Sequence, residues 1–177
     1  MKDRVLVAGI GNIFHGDDAF GVEVAQQLLT RPKPAGVAVV DFGIRGFDLA
    51  FALLDGYEIS ILVDVVERGG LPGTLYVIEP EIDRLGDARH AGAERNGHGM
   101  DPVRVLRLAK EMGGPAGKVL LVGCEPETFG PPEEGHMGLS GVVAKAVDAA
   151  IVRIEALVAG FLASSGPSTG QRAGVVV

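Results

Sequence analysis

The sequence predicts an α/β protein, a single domain built as a three-layer αβα sandwich around a mostly parallel, mixed, twisted sheet of five strands. Three observations carry that expectation. Five short runs rich in β-branched residues are mostly apolar throughout rather than alternating, the pattern of strands buried on both faces. Helical patterns lie between most of them, which is how a sheet acquires helices on both sides. With 177 residues, 47% of them hydrophobic, the chain suits one core, since a domain of roughly 150 residues already buries about two-thirds of its extended surface.

The first strand is the run from Val5 to Ile10, and the helix after it starts near Asp17 with Phe20, Val24 and Leu28 four apart on one face. Val37 to Phe42 is the second strand, Gly46 to Leu54 the second helix, Ile59 to Asp64 the third strand and Thr74 to Glu79 the fourth. Only the nine residues VVERGGLPG separate the third strand from the fourth. A parallel crossover takes a dozen residues or more, so the fourth strand is expected to be antiparallel and the sheet mixed. Pro80 to Gly99 has no regular period and reads as a functional loop or lid. A third helix has Asp101 as its cap, Pro102 at its first position, a stripe of Val105, Leu108, Ala109 and Met112, and a stop at Gly113. Lys118 to Gly123 is the fifth strand. The last helix runs from about Ser140 to Phe161, with Val143, Val147, Ala150, Ile151, Ile154, Leu157, Val158 and Phe161 on one face and Lys145, Asp148, Arg153 and Glu155 on the other. Residues 1–163 form the domain, and residues 164–177, rich in Ser and Gly, are expected to be a flexible tail.

The composition narrows the function. A net charge of -7 and no Lys/Arg cluster leave no basic field for nucleic acid. The single cysteine, Cys124, leaves no disulfide framework and no Cys-x-x-Cys zinc or redox site, as expected of a reducing compartment. Lys2 and Arg4 precede an apolar run that stops at Gly9 and Gly11, too short for the core of a signal peptide, and no later run reaches the ~20 residues of a membrane span. The expectation is a soluble, monomeric, cytoplasmic protein that binds neither nucleic acid nor membrane.

The stretch GIGNIFHGDDAFG, Gly9 to Gly21, opens like a phosphate-binding turn and then departs from one. A dinucleotide fingerprint requires a third glycine where this chain has Phe14. Asp17 and Asp18 stand where pyrophosphate would sit, and carboxylates at that distance repel phosphate. Asp41, at the end of the second strand, is placed as a ribose-binding acid would be, which keeps a nucleotide-binding α/β protein as one alternative. Asp17 reads as the cap of the first helix. Asp18 either complements that helix's dipole or works with Asp64, which ends the third strand at the carboxyl edge where open α/β sheets bind ligands; Asp64 is otherwise a loop cap. His98, in NGHGMDP, stands just ahead of a helix N-terminus that disfavours a protonated ring. Two carboxylates and a neutral imidazole suit a borderline divalent ion such as zinc or nickel with positions left open. His15 is either a fourth ligand or an exposed turn residue, His90 and His136 receive no role, and Cys124 is either a nucleophile or a buried strand-end thiol. No G-x-S-x-G elbow or H-E-x-x-H helix is present.

These residues resemble the hydrogenase maturation proteases, which process the large subunit of nickel-iron hydrogenases. GIGNIFHGDDAFG is similar to that family's G-x-G-N turn with its acidic pair and following glycine. LVDVVERGGLPGT resembles its second motif, GHGMDPVRVL the segment with its histidine, and LLVGCEPE followed by GLS its later strand and the start of its final helix. The resemblance spans roughly residues 4–160. It implies an endopeptidase that removes a C-terminal extension from a nickel-iron hydrogenase large-subunit precursor after nickel insertion. Asp18, Asp64 and His98 would be both its nickel contacts and its catalytic set. The nickel would arrive with the substrate, and zinc or cadmium would take the same place in vitro. Gly9, Gly11 and Asn12 would shape the turn, and Asp41, Gly43 and Gly46 would line the substrate's path, although DFGIRG carries Phe42 and Ile44 where the family pattern has a small residue and a Thr. A nickel-carrying maturation chaperone that cleaves nothing would use the same three ligands.

Overall fold

The structure is a computed structural model that describes residues 3–85, 101–131 and 134–164. Its elements run β1 (Val5–Ile10), α1 (Phe20–Leu29), β2 (Val37–Gly43), α2 (Gly46–Leu54), β3 (Ile59–Val65), β4 (Leu75–Ile78), α3 (Pro102–Glu111), β5 (Lys118–Cys124) and α4 (Gly141–Ser164), with short 3₁₀ turns at Gly16–Ala19 and Ile82–Arg84. One five-stranded sheet has the order β2-β1-β3-β5-β4. The first four strands in that order are parallel, and β4 lies antiparallel against β5, with Leu75 opposite Cys124. The nine-residue connection therefore does what its length requires. The sheet is mixed.

Alternate strand residues feed two cores, because successive side chains point to opposite faces. Val5, Val7, Ile59, Ile61, Val63 and Val122 pack with α1 and α4, while Leu6, Ala8, Ile10, Leu62, Val119 and Leu121 pack with α2 and α3. The three-layer αβα arrangement follows. Strands β1 and β3 are buried along their whole lengths, as their unbroken apolar runs require.

Helix α3 begins where its chemistry dictates. In α3 the Asp101 side chain accepts from the Arg104 amide at 3.0 Å, and Pro102 occupies the first turn where no donor is needed. Its buried stripe includes Leu106 besides the expected Val105 and Ala109. Lys110, in its last turn, donates to the carbonyl of Asp83 at 2.8 Å. That bond fixes the C-terminal end of α3 near the segment that follows β4, at the amino edge of the parallel strands, with Pro102 about 15 Å away along the helix. Helix α4 reaches Ser164, three residues past the expected end and one residue into the expected tail. Residues 165–177 lie outside the described residues, as does the segment 86–100.

Candidate active site

Strand β1 delivers the chain to the carboxyl edge at Ile10, and the next ten residues fold back onto that edge. Gly11 has φ +141, and a β-carbon there would stand 1.8 Å from the Asp18 carbonyl oxygen, so only glycine lets the turn close on itself. Its amide donates to the Gly43 carbonyl at 3.1 Å, joining the turn after β1 to the end of β2. Asn12 then makes a local turn of its own, its side-chain oxygen accepting from the Phe14 amide at 3.0 Å. The Asn12 amide donates to Oδ2 of Asp18 at 3.1 Å. Asp18 is half-buried in the 3₁₀ turn Gly16–Ala19.

Asp64 is the penultimate residue of β3, buried at 4% exposure, with Oδ1 accepting from the Val65 amide at 2.8 Å. It shares the α2/α3 face of the sheet with Leu62. The turn that carries Asp18 packs on β3, so the structure brings the Asp18 turn against the strand end that holds Asp64. Asp101, three residues beyond His98 in sequence, caps α3, the helix that packs on the same face of the sheet as Leu62. His98 itself is outside the described residues. Among the described residues no three His, Cys, Asp or Glu side chains gather as a metal-holding group.

The remaining expected positions fall nearby. Gly9 lies in β1 opposite Asp41 of β2, after which the register shifts so that Ile10 faces Gly43. Strand β2 therefore runs to Gly43, one residue past its expected end at Phe42, and Asp41 accepts from the Gln26 side chain at 3.2 Å while its carbonyl accepts from Arg45. Gly43, at φ +55, turns the chain out of β2, and buried Gly46 opens α2 with its amide on the Ile44 carbonyl at 3.0 Å.

Asp17 differs from expectation. It caps nothing in its own turn, which has no side-chain cap. Its carboxylate is fully buried and points the other way, across to the loop after β5. Oδ2 accepts from the amides of Glu127 at 2.8 Å and Thr128 at 2.9 Å and from the Ser140 hydroxyl at 3.0 Å, while Oδ1 accepts from the Ser140 amide at 2.7 Å. The cause is burial: a carboxylate removed from water must find donors, and that loop offers four where the turn offers none.

A second buried acid, Glu125, follows β5 directly. It accepts from the amides of Arg68 and Gly69 and from the Tyr76 hydroxyl, at 2.9–3.1 Å, and so holds the loop between β3 and β4. Burial pushes its carboxyl up, but the Arg68 amide, the Tyr76 hydroxyl and the Gly69 and Gly70 amides outweigh that and leave it below the usual carboxylate range. Sequence reasoning missed both roles, that of Asp17 and that of Glu125. The signal present was an acid directly following a buried run, in LLVGCEPE, and a Ser placed to open a long helix, in GLS. Cys124 is buried with its thiol pushed up to about 12, by burial first and then by the charges of Asp17 and Glu125, which leaves it protonated and disqualifies it as a nucleophile near neutral pH. His15 is exposed in the turn and pairs through its backbone with His136 in an isolated bridge.

A mixed α/β sheet with the turn of Asp17 and Asp18 at its carboxyl edge defines the class: an open α/β protein, of the kind that binds ligands beyond its strand ends. Within that class the chain belongs to the hydrogenase maturation protease family, which residues 22–157 match. The hydrogenase expression/formation protein HupD of Rhodobacter capsulatus is 31% identical over 151 residues, covering 84% of this chain and 68% of that relative. Among solved structures, the hydrogenase maturating endopeptidase HybD from E. coli superposes with a TM-score of 0.70 at 25% identity, covering 90% of this chain and 94% of that one. The hydrogenase 2 maturation peptidase from Thaumarchaeota archaeon SCGC_AB-539-E09 gives a TM-score of 0.64 at 36% identity, covering 88% and 98% respectively.

Proposed function

We propose that this chain is an endopeptidase that removes the C-terminal extension of a nickel-iron hydrogenase large-subunit precursor once nickel has been inserted. The reading assigns the substrate-borne nickel to Asp18, Asp64 and His98. The observation that supports it best is the packing of the Asp18 turn on β3, which sets two acids of the family's pattern at one edge of the sheet. Two carboxylates and an imidazole leave coordination positions open for ligands that the substrate already supplies. Nickel held in this way fixes the adjacent peptide bond in register and polarises its carbonyl, while a carboxylate of the site directs water to the carbon. A chain with a net charge of -7 and acids at the site favours a cation there.

The test is incubation of the purified chain with nickel-loaded and nickel-free precursor, followed by mass analysis of the large subunit. Shortening of the loaded form alone is the expected result. Equal shortening of both forms removes nickel recognition from the proposal. Nickel uptake by the isolated chain without any shortening makes it a metal carrier instead.

A further inference from the structure

We infer that Asp17 is a positioning residue for Asp18, the device that holds the proposed nickel-contacting carboxylate in place; the inference rests on the reading of Asp18 given above. The turn at Gly16–Ala19 is bolted to the 127–140 loop at two consecutive residues. Gly16 donates to the His136 carbonyl at 2.7 Å and Asp17 to the Thr128 carbonyl at 3.0 Å, and the Asp17 carboxylate adds four more bonds in the same direction. Gly16 is seated so tightly, at φ +53, that a β-carbon would stand 2.8 Å from the Thr128 carbonyl oxygen.

Asp18 follows immediately, one Cα–Cα step of about 3.8 Å from this fixed point. A second hold comes from the Asn12 amide on Oδ2. Asp18 is thus braced from two sides: through Asn12 to the turn after β1, and through Asp17 to the loop after β5 and the start of α4. The partition of the Asp17 oxygens matters. Oδ1 faces the Ser140 amide, and Oδ2 gathers the two loop amides and the Ser140 hydroxyl. An amide side chain would offer one acceptor and present an N–H₂ to a donor, so Asn cannot reproduce the grip although it has the same shape. Residues that hold a ligating carboxylate act on chemistry more than on encounter, because small misplacement of a ligand costs rate.

The experiment uses the full chain as Asp17→Asn and as Ser140→Ala, with three readouts: thermal midpoint, hydrogen exchange of the Asn12 amide, and kcat and KM for shortening of nickel-loaded precursor. The expected result for Asp17→Asn is a folded protein with faster Asn12 exchange, a kcat lower by about 10- to 100-fold and a KM within about twofold. Ser140→Ala, which leaves the carboxylate in place with one donor fewer, moves the same readouts in the same direction by less. A folded Asp17→Asn with wild-type Asn12 exchange and wild-type kcat overturns the inference. Should Asp17→Asn fail to fold, Ser140→Ala decides: unchanged exchange and kcat there overturn it equally. A wild-type chain that leaves the precursor whole, with Asn12 exchange still faster in Asp17→Asn, defeats the peptidase reading and upholds the brace.

Discussion

Gly9 lies so close beneath Gly21 that a β-carbon on it would stand 2.3 Å from the Gly21 carbonyl oxygen, and one on Gly21 would stand 2.0 Å from the carbonyl oxygen of Val63. The start of α1 therefore rests directly on β1 and β3. This contact does the work that the third glycine of a dinucleotide fingerprint does elsewhere, and it draws the Asp18 turn down onto the strand edge. The atoms in the way are backbone and cannot swing aside. Gly21→Ala is expected to destabilise at or beyond the upper end of the ~1–3 kcal/mol usual for overpacking, read as a shift in the denaturant midpoint. Gly160, inside α4, has open space where a β-carbon would go, with nothing within 4 Å, and it gives the opposite result: Gly160→Ala is expected to stabilise by roughly 0.5–1 kcal/mol through helix propensity. Equal effects of the two substitutions would show that packing at Gly21 is looser than described.

Asp18→Asn is expected to abolish shortening of the nickel-loaded precursor while moving stability by no more than about 1 kcal/mol, because asparagine keeps one side-chain oxygen that can accept from the Asn12 amide. His98→Ala is expected to lose shortening as well. The measurement is a paired one, the mass of the large subunit after incubation and the thermal midpoint of each variant. Full processing by either variant removes that residue from the proposed nickel-contacting set.

The strands and helices were legible because burial writes itself into the chain: β1 and β3 read as unbroken apolar runs, and the nine residues before β4 forced its direction. The candidate site was legible only in part. Asp18 and Asp64 could be placed at one edge because strand ends are fixed by the sheet, and β3 carries Asp64 to the edge where Asp18 turns back. Asp17 could not be read correctly, because its partners Glu127, Thr128 and Ser140 lie 110–123 residues away in sequence; a local capping rule sees only neighbours. The clamp of Glu125 on Arg68 and Gly69 was hidden for the same reason. The end of the second strand was legible to within one residue, Phe42 against the observed Gly43, but the register shift between Gly9 and Ile10 that sets Ile10 opposite Gly43 leaves no mark in the sequence.

Cys124 offers a check on how closed the edge is beneath these loops. Its thiol is buried and pushed up to about 12, while the unfolded chain ionises near pH 8.5. The folded state therefore holds its proton where the unfolded state releases it, and stability falls as pH rises from about 8.5 toward 12. Cys124→Ala is expected to lessen that alkaline loss, seen as a flatter midpoint-versus-pH curve. A thiol reagent at pH 8 is expected to label the wild type only at the rate of opening or unfolding, and rapid labelling of the native chain would show that the β5 end is accessible.

Glu125 governs the acid side. Burial alone would raise its carboxyl, yet the Arg68 amide, the Tyr76 hydroxyl and the Gly69 and Gly70 amides together overcome burial and hold it below the usual range. A depressed folded value means that the unfolded state binds the proton more readily. The stabilisation is therefore fully present above the unfolded carboxyl value of about 4.3 and is lost as pH falls through the lower folded value. The structural consequence is local, because protonation turns an acceptor of amides from Arg68 and Gly69 into a partial donor and loosens the loop between β3 and β4. Glu125→Gln is expected to melt at a lower temperature than wild type at pH 7 and to show a shallower decline between about pH 5 and pH 3. Amide exchange at Arg68 and Gly69 should accelerate in the variant at neutral pH and in the wild type only under acid. Parallel acid limbs for the two proteins would mean that the carboxylate at Glu125 does not hold this loop.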